Sequence, residues 1–258
     1  MPLKDRFIQL LNTGVRVVKE ENGIIALYKP NVVLSHPNIE KKNENTLLHN
    51  CKYNHKGEFY EYGDEKYYLL NRLDSATNGL LLMSDNASLA KEIKLSFARR
   101  NIYKSYLAKV FVTKLVKERF KEQWSDSLSI ENINNKVRSR IITNIVDGNH
   151  YPEAKSNIER QYNNSNDKDT IILKIDPLTG YTHQIRVQSA HHGFPIVGDR
   201  LYGNFSMNNR YFKSNKIKDK KLFLTACEYR VPYLFNGINS TFHVKIDVDK
   251  ETFNPVNM

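Results

Sequence analysis

The sequence predicts an α+β fold with a central mixed, largely antiparallel sheet and flanking helices. Strand-like apolar segments outnumber helical ones, and they do not alternate regularly with helices as they do in βαβ proteins. The chain has 258 residues, of which 40% are hydrophobic and 26% charged, so it is long enough to bury a sizeable core. We expect a single domain over residues 1–258 with a short lead-in over residues 1–22, because no linker or repeat divides the chain.

Apolar segments bounded by turn residues predict the strands. GIIALYKP reads as a strand that ends at its proline, and NVVLSHP is expected to continue it after a break. KYYLLNRLD is expected to be a strand that carries Asp74 at its end, and an Asn-Gly turn signal opens the next strand, NGLLLMS. The other predicted strands are IYKSYLAKVFV, AKSNIERQYNN, TIILKIDPLTG, KLFLTACEYRVPY and TFHVKIDV.

Helical features are fewer. SDNASLAKEIKLSFARRN begins with potential N-cap residues, and its apolar residues recur every four positions on one face. YTHQIRVQSAHHG is expected to turn helical after its glycine neighbour, Gly180. We also expect residues 38–66 to form a loop with a short helix, and residues 114–155 to mix a polar helix with irregular strands.

The charge of the chain favours a polyanionic partner. Lys and Arg number 39 against 28 Asp and Glu, a formal net charge of +11, and basic surfaces release counterions when they neutralise phosphates. The alternative is a lysine-rich surface that is simply solvated. The two cysteines form no CxxC pair, the first residues lack the apolar core of a signal peptide, and the apolar runs are too short to span a membrane. We therefore expect a cytoplasmic, monomeric protein with no membrane partner.

Several residues are candidates for chemistry. A carboxylate at Asp74 can act as a nucleophile or base where an opposite charge keeps it ionised, although an aspartate beside a turn more often caps its own backbone. Tyr106, in a predicted strand, would otherwise be a core residue. The segment LTGYTHQIRVQSAHHG places polar and basic side chains at the start of a helix, where anions and polar ligands are favoured.

The sequence lacks the motifs that are typical of other kinds of functional site. His183, His191 and His192 suggest a metal site, but His183 and His191 lie eight positions apart and no HExxH is present, so we expect no metal site. GxSxG is absent, which argues against a serine hydrolase. The glycines of GFPIVGDRLYG do not have the spacing of a GxGxxG or P-loop, so we expect no nucleotide cofactor.

Taken in order, these segments resemble the RluA-type pseudouridine synthases. NRLDSATNGLLLM resembles the family's RLD-xx-T-SG-LLL pattern, and GIIALYKPNVVLSHP resembles its opening strand, which usually reads like VVNKPAGLVVHP. KSYLAKV is similar to K-x-Y-L-A-x-V, and LTGYTHQIRVQSAHHGFPIVGDRLYG closely resembles TGRTHQIRVH-x-A-x-x-GHPIVGDxLYG. The matches keep the family order over about residues 23–203. The resemblance implies the pseudouridine synthase fold, with an active-site cleft.

The resemblance also implies roles for individual residues. Asp74 takes the place of the essential aspartate in an enzyme that detaches uracil from ribose, rotates it and rejoins it through carbon. The carboxylate could attack the sugar, attack the base, or remove a sugar proton to give a glycal. Tyr106 would stack on the target base and accept its C5 proton. Arg186 would pair with Asp74, and neither a metal nor an organic cofactor is needed.

The implied substrate is a uridine in structured ribosomal or transfer RNA. Such a base must leave its stack, and Arg72 would fill or support the vacated space; its alternatives are a phosphate contact or a local salt bridge. Lys104, His183 and Gln184 are weaker candidates for contacting RNA or supporting loops.

Three positions depart from the family pattern: Asn71 replaces His, Asn78 replaces Ser, and Tyr181 replaces Arg. The match begins near residue 23, so we expect no N-terminal S4 RNA-binding domain. Two other functions remain open at this point. One is a noncatalytic RNA-binding protein or RNA chaperone of the same fold, and the other is a small-molecule hydrolase or lyase that uses Asp74.

Overall fold

Strands dominate the structure, a computed structural model that describes residues 5–38, 45–112, 120–133, 136–143, 150–161, 169–249, 253 and 256. None of the helices in these ranges is long and apolar enough to cross a membrane. The elements, in chain order, are α1 (Asp5–Leu10), β1 (Arg16–Glu21), β2 (Ile24–Lys29), β3 (Lys52–Asn54), β4 (Phe59–Tyr62), β5 (Glu65–Leu69), β6 (Asn78–Ser84), α2 (Ala87–Ala98), β7 (Tyr103–Phe111), β8 (Gln123–Ile133), β9 (Lys136–Ile141), β10 (Glu153–Gln161), β11 (Thr170–Pro177), α3 (Gln184–His191), α4 (Phe205–Ser214), β12 (Leu224–Phe235) and β13 (Ile238–Lys245).

The contacts of the chain divide it into two compact units. The first is built from both ends of the chain and comprises Met1–Lys104, Thr225–Asp249 and Asn254–Met258. The second comprises Ser105–Leu224 and Lys250–Phe253. Strand β7 begins in the first unit and continues into the second.

Mixed strand pairing characterises the first unit. β3, β4, β5 and β6 pair antiparallel in succession, and β2 pairs antiparallel with both β1 and β6. β12 pairs parallel with the start of β6, through Thr225 opposite Asn78 and Ala226 opposite Gly79, and antiparallel with β13. Every residue of β2 and β6 is buried, which explains their continuous apolar sequences.

Antiparallel pairing runs through the second unit. β7 pairs with β11, β11 with β10, β10 with β8, and β8 with β9. β10 shows the alternation of a strand with one covered face, since Ala154, Ser156 and Ile158 are buried and the residues between them are exposed. The predicted α+β class with a mixed, largely antiparallel sheet is therefore confirmed.

Most predicted strands and both well-patterned helices are present. In α2 the side chain of Asn86 accepts a hydrogen bond from the backbone N–H of Leu89, as an N-cap does, and α3 begins four residues after Gly180.

Some other predicted elements differ from the structure. NVVLSHP is not a strand, because only Leu34 forms an isolated bridge there. Among the described residues, 45–66 contain β3, β4 and the start of β5 instead of a short helix. Residues 123–133 and 136–141 are the strands β8 and β9, which agrees with the strands predicted there. The parts of these predictions that fall on residues 39–44, 113–119, 134–135 and 144–149 lie outside the described residues.

Two observations show why position 79 is occupied by glycine. Its φ is +114°, a conformation that other L-residues rarely adopt. A Cβ at this position would lie 2.6 Å from the backbone nitrogen of Ala226 and closer still to its carbonyl oxygen. The absence of a side chain therefore lets β12 pair with β6.

We expect Gly79→Ala to destabilise the protein by more than about 3 kcal/mol, because the added methyl group forces β12 away from β6 as well as straining the backbone. Urea unfolding measures the change. Gly63→Ala is the matched control: Gly63 also has positive φ, at +59°, but nothing lies within 4 Å of its added Cβ, so only the cost of the left-handed backbone, about 1 kcal/mol, applies. Equal losses in the two variants would contradict this explanation.

Candidate active site

The predicted site residues are distributed over both units. Asp74, Arg72 and Lys104 belong to the first unit, and the second unit contains Tyr106, His183, Gln184 and Arg186.

Asp74 lies in a loop, not at the end of a strand. Strand β5 ends at Leu69 and β6 begins at Asn78, so residues 70–77 form the connection, which we call the Asp74 loop. The backbone N–H of Thr77 donates to the carbonyl oxygen of Asp74 at 3.0 Å, as in a tight turn. The prediction that KYYLLNRLD is one strand was therefore wrong in its second half.

Residues 29–35, which we call the clamp segment, hold the first half of the Asp74 loop. Ser35 Oγ donates to the carbonyl oxygen of Leu73 at 2.8 Å and accepts from the backbone N–H of Leu73 at 3.0 Å. The Tyr60 hydroxyl donates to the carbonyl oxygen of Ser35 at 2.9 Å. The residue before Asp74 is thus fixed on both its polar backbone groups by one buried serine.

The clamp segment also holds the second half of the loop. The backbone N–H of Val32 donates to the carbonyl oxygen of Ser75 at 2.9 Å, and the Asn31 side chain donates to the carbonyl oxygen of Ala76. Val32 has a φ of +63°, which costs a β-branched residue roughly 1–2 kcal/mol. The strained turn at Val32 persists because it directs the backbone N–H toward Ser75.

Lys29 connects the clamp segment to the Asp74 loop through its side chain. It is fully buried, and its Nζ donates to the carbonyl oxygens of Val33 at 2.7 Å, Pro30 at 3.1 Å and Ser75 at 3.3 Å. Burial lowers the pKa of Lys29 to about 7, while the negative charge of Asp74 acts in the opposite direction. When Lys29 is protonated, its buried positive charge interacts with the Asp74 carboxylate.

Two departures from the family pattern stabilise the same region. The Asn71 side chain donates to the Tyr229 hydroxyl and accepts from the backbone N–H of Leu82, both at 2.8 Å. Asn78 is buried; it donates to the Tyr28 hydroxyl at 3.1 Å and accepts from the Thr225 hydroxyl at 2.8 Å. Both amides use their donor and acceptor sides inside the first unit, which explains why asparagine suits these positions.

Arg72 is accessible from solvent. Its side chain is 60% exposed, and its Nη1 lies 3.9 Å from a carboxylate oxygen of Glu58. An exposed ion pair at that distance contributes little to stability, so Arg72 can leave Glu58 at small cost. Lys104 is half-buried; burial and, to a smaller extent, the charge of Arg100 lower its pKa to about 8.

Tyr106 lies on β7 opposite Ile175 of β11 and is half-buried. The residue before it, Ser105, is buried and donates from its hydroxyl to Asp176 at 2.6 Å. The pairing of β7 with β11 fixes the backbone of Tyr106.

The start of α3 is organised by Gln184 and His183. Gln184 is buried and its amide contacts Thr179 Oγ1 at 2.7 Å, the backbone N–H of Tyr181 at 3.1 Å and the carbonyl oxygen of Lys155 at 3.1 Å. His183 has a left-handed backbone, with a φ of 56°, and its Nδ1 lies 2.9 Å from the Tyr202 hydroxyl. These contacts support the loop that precedes the helix.

Arg186 forms a bidentate pair with Asp199 that sequence reasoning did not identify. Its Nε lies 2.8 Å from Oδ2 and its Nη2 lies 2.9 Å from Oδ1 of Asp199, and both side chains are buried. Burial alone would raise the pKa of Asp199, but the hydrogen bonds and charge of Arg186, with backbone donors of Tyr202 and Leu201, lower it below its usual value. The guanidinium is thus held in one orientation.

Tyr181, the third departure, packs as an apolar residue. It lies against the buried cluster of Leu128, Ala154 and Val187, together with Tyr202. An arginine at this position would bring a charge to the edge of that cluster.

Lys29 and Asp199 were therefore missed as functional candidates. Both stood inside quoted family segments, YKP and VGDRLYG, but lysine before a proline gave no sign of burial, and Asp199 follows Arg186 by thirteen positions without a helical period.

We expect the contribution of Lys29 to stability to depend on pH. Between about pH 7 and its ordinary value of 10.5, Lys29 binds fewer protons in the folded than in the unfolded chain, so its contribution rises with pH by at most about 1.4 kcal/mol per unit. The free energy of unfolding of the wild type minus that of Lys29→Met should therefore increase across this range in urea titrations.

Lys91→Met, at an exposed position of α2, is the control and should show no such increase. A difference between wild type and Lys29→Met that stays constant with pH would contradict the lowered pKa.

Known proteins are similar to this chain over much of its length. The model of the family described as RNA pseudouridylate synthase matches residues 23–191. Ribosomal large subunit pseudouridine synthase D of Borreliella burgdorferi is 27% identical over 194 residues, covering 74% of this chain and 56% of that protein. The tRNA pseudouridine(31) synthase of Saccharomyces cerevisiae is 29% identical over 214 residues, covering 73% of this chain and 46% of that protein.

A solved structure supports the fold. Human RNA Pseudouridylate Synthase Domain Containing 1 superposes with a TM-score of 0.61 at 19% identity, covering 91% of this chain and 84% of that one. The chain spans about half the length of the two curated relatives. Because the family model covers well over half of the residues, from the clamp segment through α3, the chain belongs to the RNA pseudouridylate synthase family, and its resemblance to the RluA-type members is confirmed.

Proposed function

We propose that the protein isomerises specific uridines to pseudouridine in structured RNA. The observation that carries the proposal is the Asp74 loop: in a chain that belongs to this family, the aspartate of the RLD segment lies in a loop that the clamp segment and Lys29 hold in one conformation. A fixed carboxylate suits a reaction at a single sugar–base bond. A protein that only binds RNA gains nothing from holding a negative charge near phosphates.

In the proposed reaction the bond between ribose C1′ and uracil N1 breaks and a bond between C1′ and C5 forms. Asp74 begins the reaction, by attack on the sugar or the base or by removal of a sugar proton. After rotation of the uracil, the C5 proton leaves and N1 gains a proton, so the product is an isomer of the substrate.

Tyr106 and Arg186 are also proposed to take part in the chemistry. Tyr106 accepts the C5 proton and stacks on the base. Arg186 orients the reacting groups, and its bidentate pair with Asp199 supports this role because it holds the guanidinium in place. The proposal includes no metal or organic cofactor in the chemistry.

Ribosomal or transfer RNA is the proposed partner. One relative is named as a synthase of the ribosomal large subunit and another as a tRNA synthase, and the net charge of +11 suits either RNA. Arg72, Lys104, His183 and Gln184 are proposed to contact RNA or to support the loops that do. Mapping pseudouridine in total RNA from cells with and without the gene would identify the modified position.

The proposal also includes a single catalytic domain formed by the whole chain, a monomeric state and a cytoplasmic location. The family match includes residues of both units. The cysteines Cys51 and Cys227 are both free thiols, which suits a reducing compartment.

We expect Asp74→Asn to abolish pseudouridine formation while RNA affinity stays within about tenfold, or about 1.4 kcal/mol, because the amide keeps the shape of the side chain and loses its nucleophilicity. Release of tritium from RNA labelled at uridine C5 measures the reaction. Asp64→Asn, at an exposed turn between β4 and β5, is the control and should remain active. Wild-type activity in Asp74→Asn would refute the catalytic role of this carboxylate.

We expect Arg72→Ala to slow turnover of structured RNA at least about tenfold more than turnover of an unstructured oligonucleotide, because extruding a stacked base costs a few kcal/mol that Arg72 helps to offset. Single-turnover rates on the two substrates measure the difference. Arg99→Ala removes another exposed arginine and serves as the control. If Arg72→Ala affected both substrates equally, Arg72 would be only a general phosphate contact.

A further inference from the structure

The end of helix α3 and strand β8 bring two histidines to one aspartate in the second unit. His191 is the last residue of α3, His192 is its C-cap, and Asp126 lies on β8. His192 Nε2 lies 3.0 Å from Oδ2 and 3.2 Å from Oδ1 of Asp126, and His191 Nε2 lies 3.9 Å from Oδ1. The three side chains offer ligand atoms that all lie within 4.8 Å of one another.

The carboxylate of this cluster is fixed from behind. Gln188 Nε2 donates to Asp126 Oδ2 at 2.7 Å, and Gln188 is fully buried. The same amide donates to the carbonyl oxygen of Ala154 at 3.1 Å and accepts from the Ser156 hydroxyl at 2.9 Å. Hydrogen bonds of this kind behind a ligating carboxylate orient it in metal sites.

The ring of His192 is fixed as well. It stacks on Trp124, with ring centroids 4.8 Å apart and an angle of 5° between the planes, and Trp124 is buried. The stack directs Nε2 toward Asp126. His191, by contrast, has a side chain that is 37% exposed, so one ligand can rotate and an ion can enter from solvent.

An ordinary ion pair explains the contact of Asp126 with His192 but not the position of His191. One imidazole, His192, already satisfies the carboxylate, yet the ring of His191 also directs its Nε2 toward Asp126. Elsewhere, Glu228 has one histidine partner, His243, and an arginine instead of a second imidazole. Two imidazole nitrogens and a carboxylate oxygen at one point form a donor set that zinc commonly takes in proteins.

We propose that Asp126, His191 and His192 bind a divalent transition-metal ion of the zinc type, with water as the fourth ligand. A tetrahedral zinc with bonds of about 2.1 Å needs ligand atoms about 3.4 Å apart, so the present spacing closes by a rotation of the exposed His191 side chain. The negative end of the α3 dipole also favours a cation here. The bound ion joins the end of α3 to β8 and stabilises the helix that carries Arg186.

His191 and His192 are adjacent in the sequence, but no recognised metal-binding spacing connects them to Asp126. His183 and His191 were too far apart to form a pair, and Asp126 precedes His191 by 65 residues (191 minus 126), so only the fold brings the ligands together. The proposal departs from the expectation, drawn from the sequence, that the chain has no metal site; the proposed ion has a structural role outside the uridine reaction.

Zinc binding to the full-length protein tests the proposal. After removal of metal by a chelator, calorimetric titration with Zn²⁺ should show about one ion per chain and a raised melting temperature. His191→Ala should weaken binding at least about tenfold, and Asp126→Asn should do the same. Co²⁺ in place of Zn²⁺ should give the visible absorption of a tetrahedral site in the wild type but not in His191→Ala or Asp126→Asn.

His55→Ala is the matched control. His55 and His36 form the other close histidine pair among the described residues, with ring centroids 6.0 Å apart, so this variant should bind zinc as the wild type does. Absence of saturable binding by the wild type, or equal binding by wild type and a folded His191→Ala or Asp126→Asn protein, would overturn the proposal. Loss of binding in His55→Ala with retention in His191→Ala would do so too, because it places the ion in the other unit.

Discussion

The hydrogen bonds between the clamp segment and the Asp74 loop are the constraint on which the proposed activity depends. Without them, ordering the connection between β5 and β6 would cost roughly 1–2 kcal/mol of backbone entropy per residue. Ser35, Val32 and the Lys29 ammonium offset this cost by satisfying the backbone of Leu73 and Ser75. The opening segment of the family pattern therefore supports a loop that lies 38 to 46 positions later in the chain.

In the second unit, a buried ion pair fixes the position of a candidate site residue. Arg186 and Asp199 are both buried, and removing either would leave an uncompensated charge, which typically costs about 3–5 kcal/mol. Gln184 links the start of the same helix to β10 through Lys155 and Ser156. Position and orientation of α3 are thus set from its first turn, whereas its last turn depends on Asp126.

Sequence patterns predicted the elements whose signal is local. The buried strands β2 and β6 and the N-cap of α2 were all predicted, because a buried strand appears in the sequence as a run of apolar residues and an N-cap as a characteristic polar residue. The end of β5 was misplaced because Leu70, beyond the strand, is still buried and still donates to the carbonyl oxygen of Leu82. β3 and β4 are short and mostly not buried, so they left no apolar run.

The candidate site was predictable only where a motif names the residue. Asp74, Tyr106 and Arg186 stood out through resemblance, but the partners of these residues did not. A fully buried lysine contradicts the usual location of lysine, and the ion pair of Arg186 with Asp199 joins a helix to a glycine-rich loop without any period. Helix α4 was overlooked as well, since its sequence FSMNNRYFKS is polar.

The pairing of β6 with β12 has a consequence for how the protein matures. Asn78 directly follows the Asp74 loop, and the threonine that donates to its side chain lies 147 positions later. A nascent polypeptide lacks this partner until residue 225 of the chain has been synthesised. Strand β12 therefore pairs with β6, beside the Asp74 loop, only late in translation. A prematurely terminated chain would contain the family's motifs without the strand that supports them.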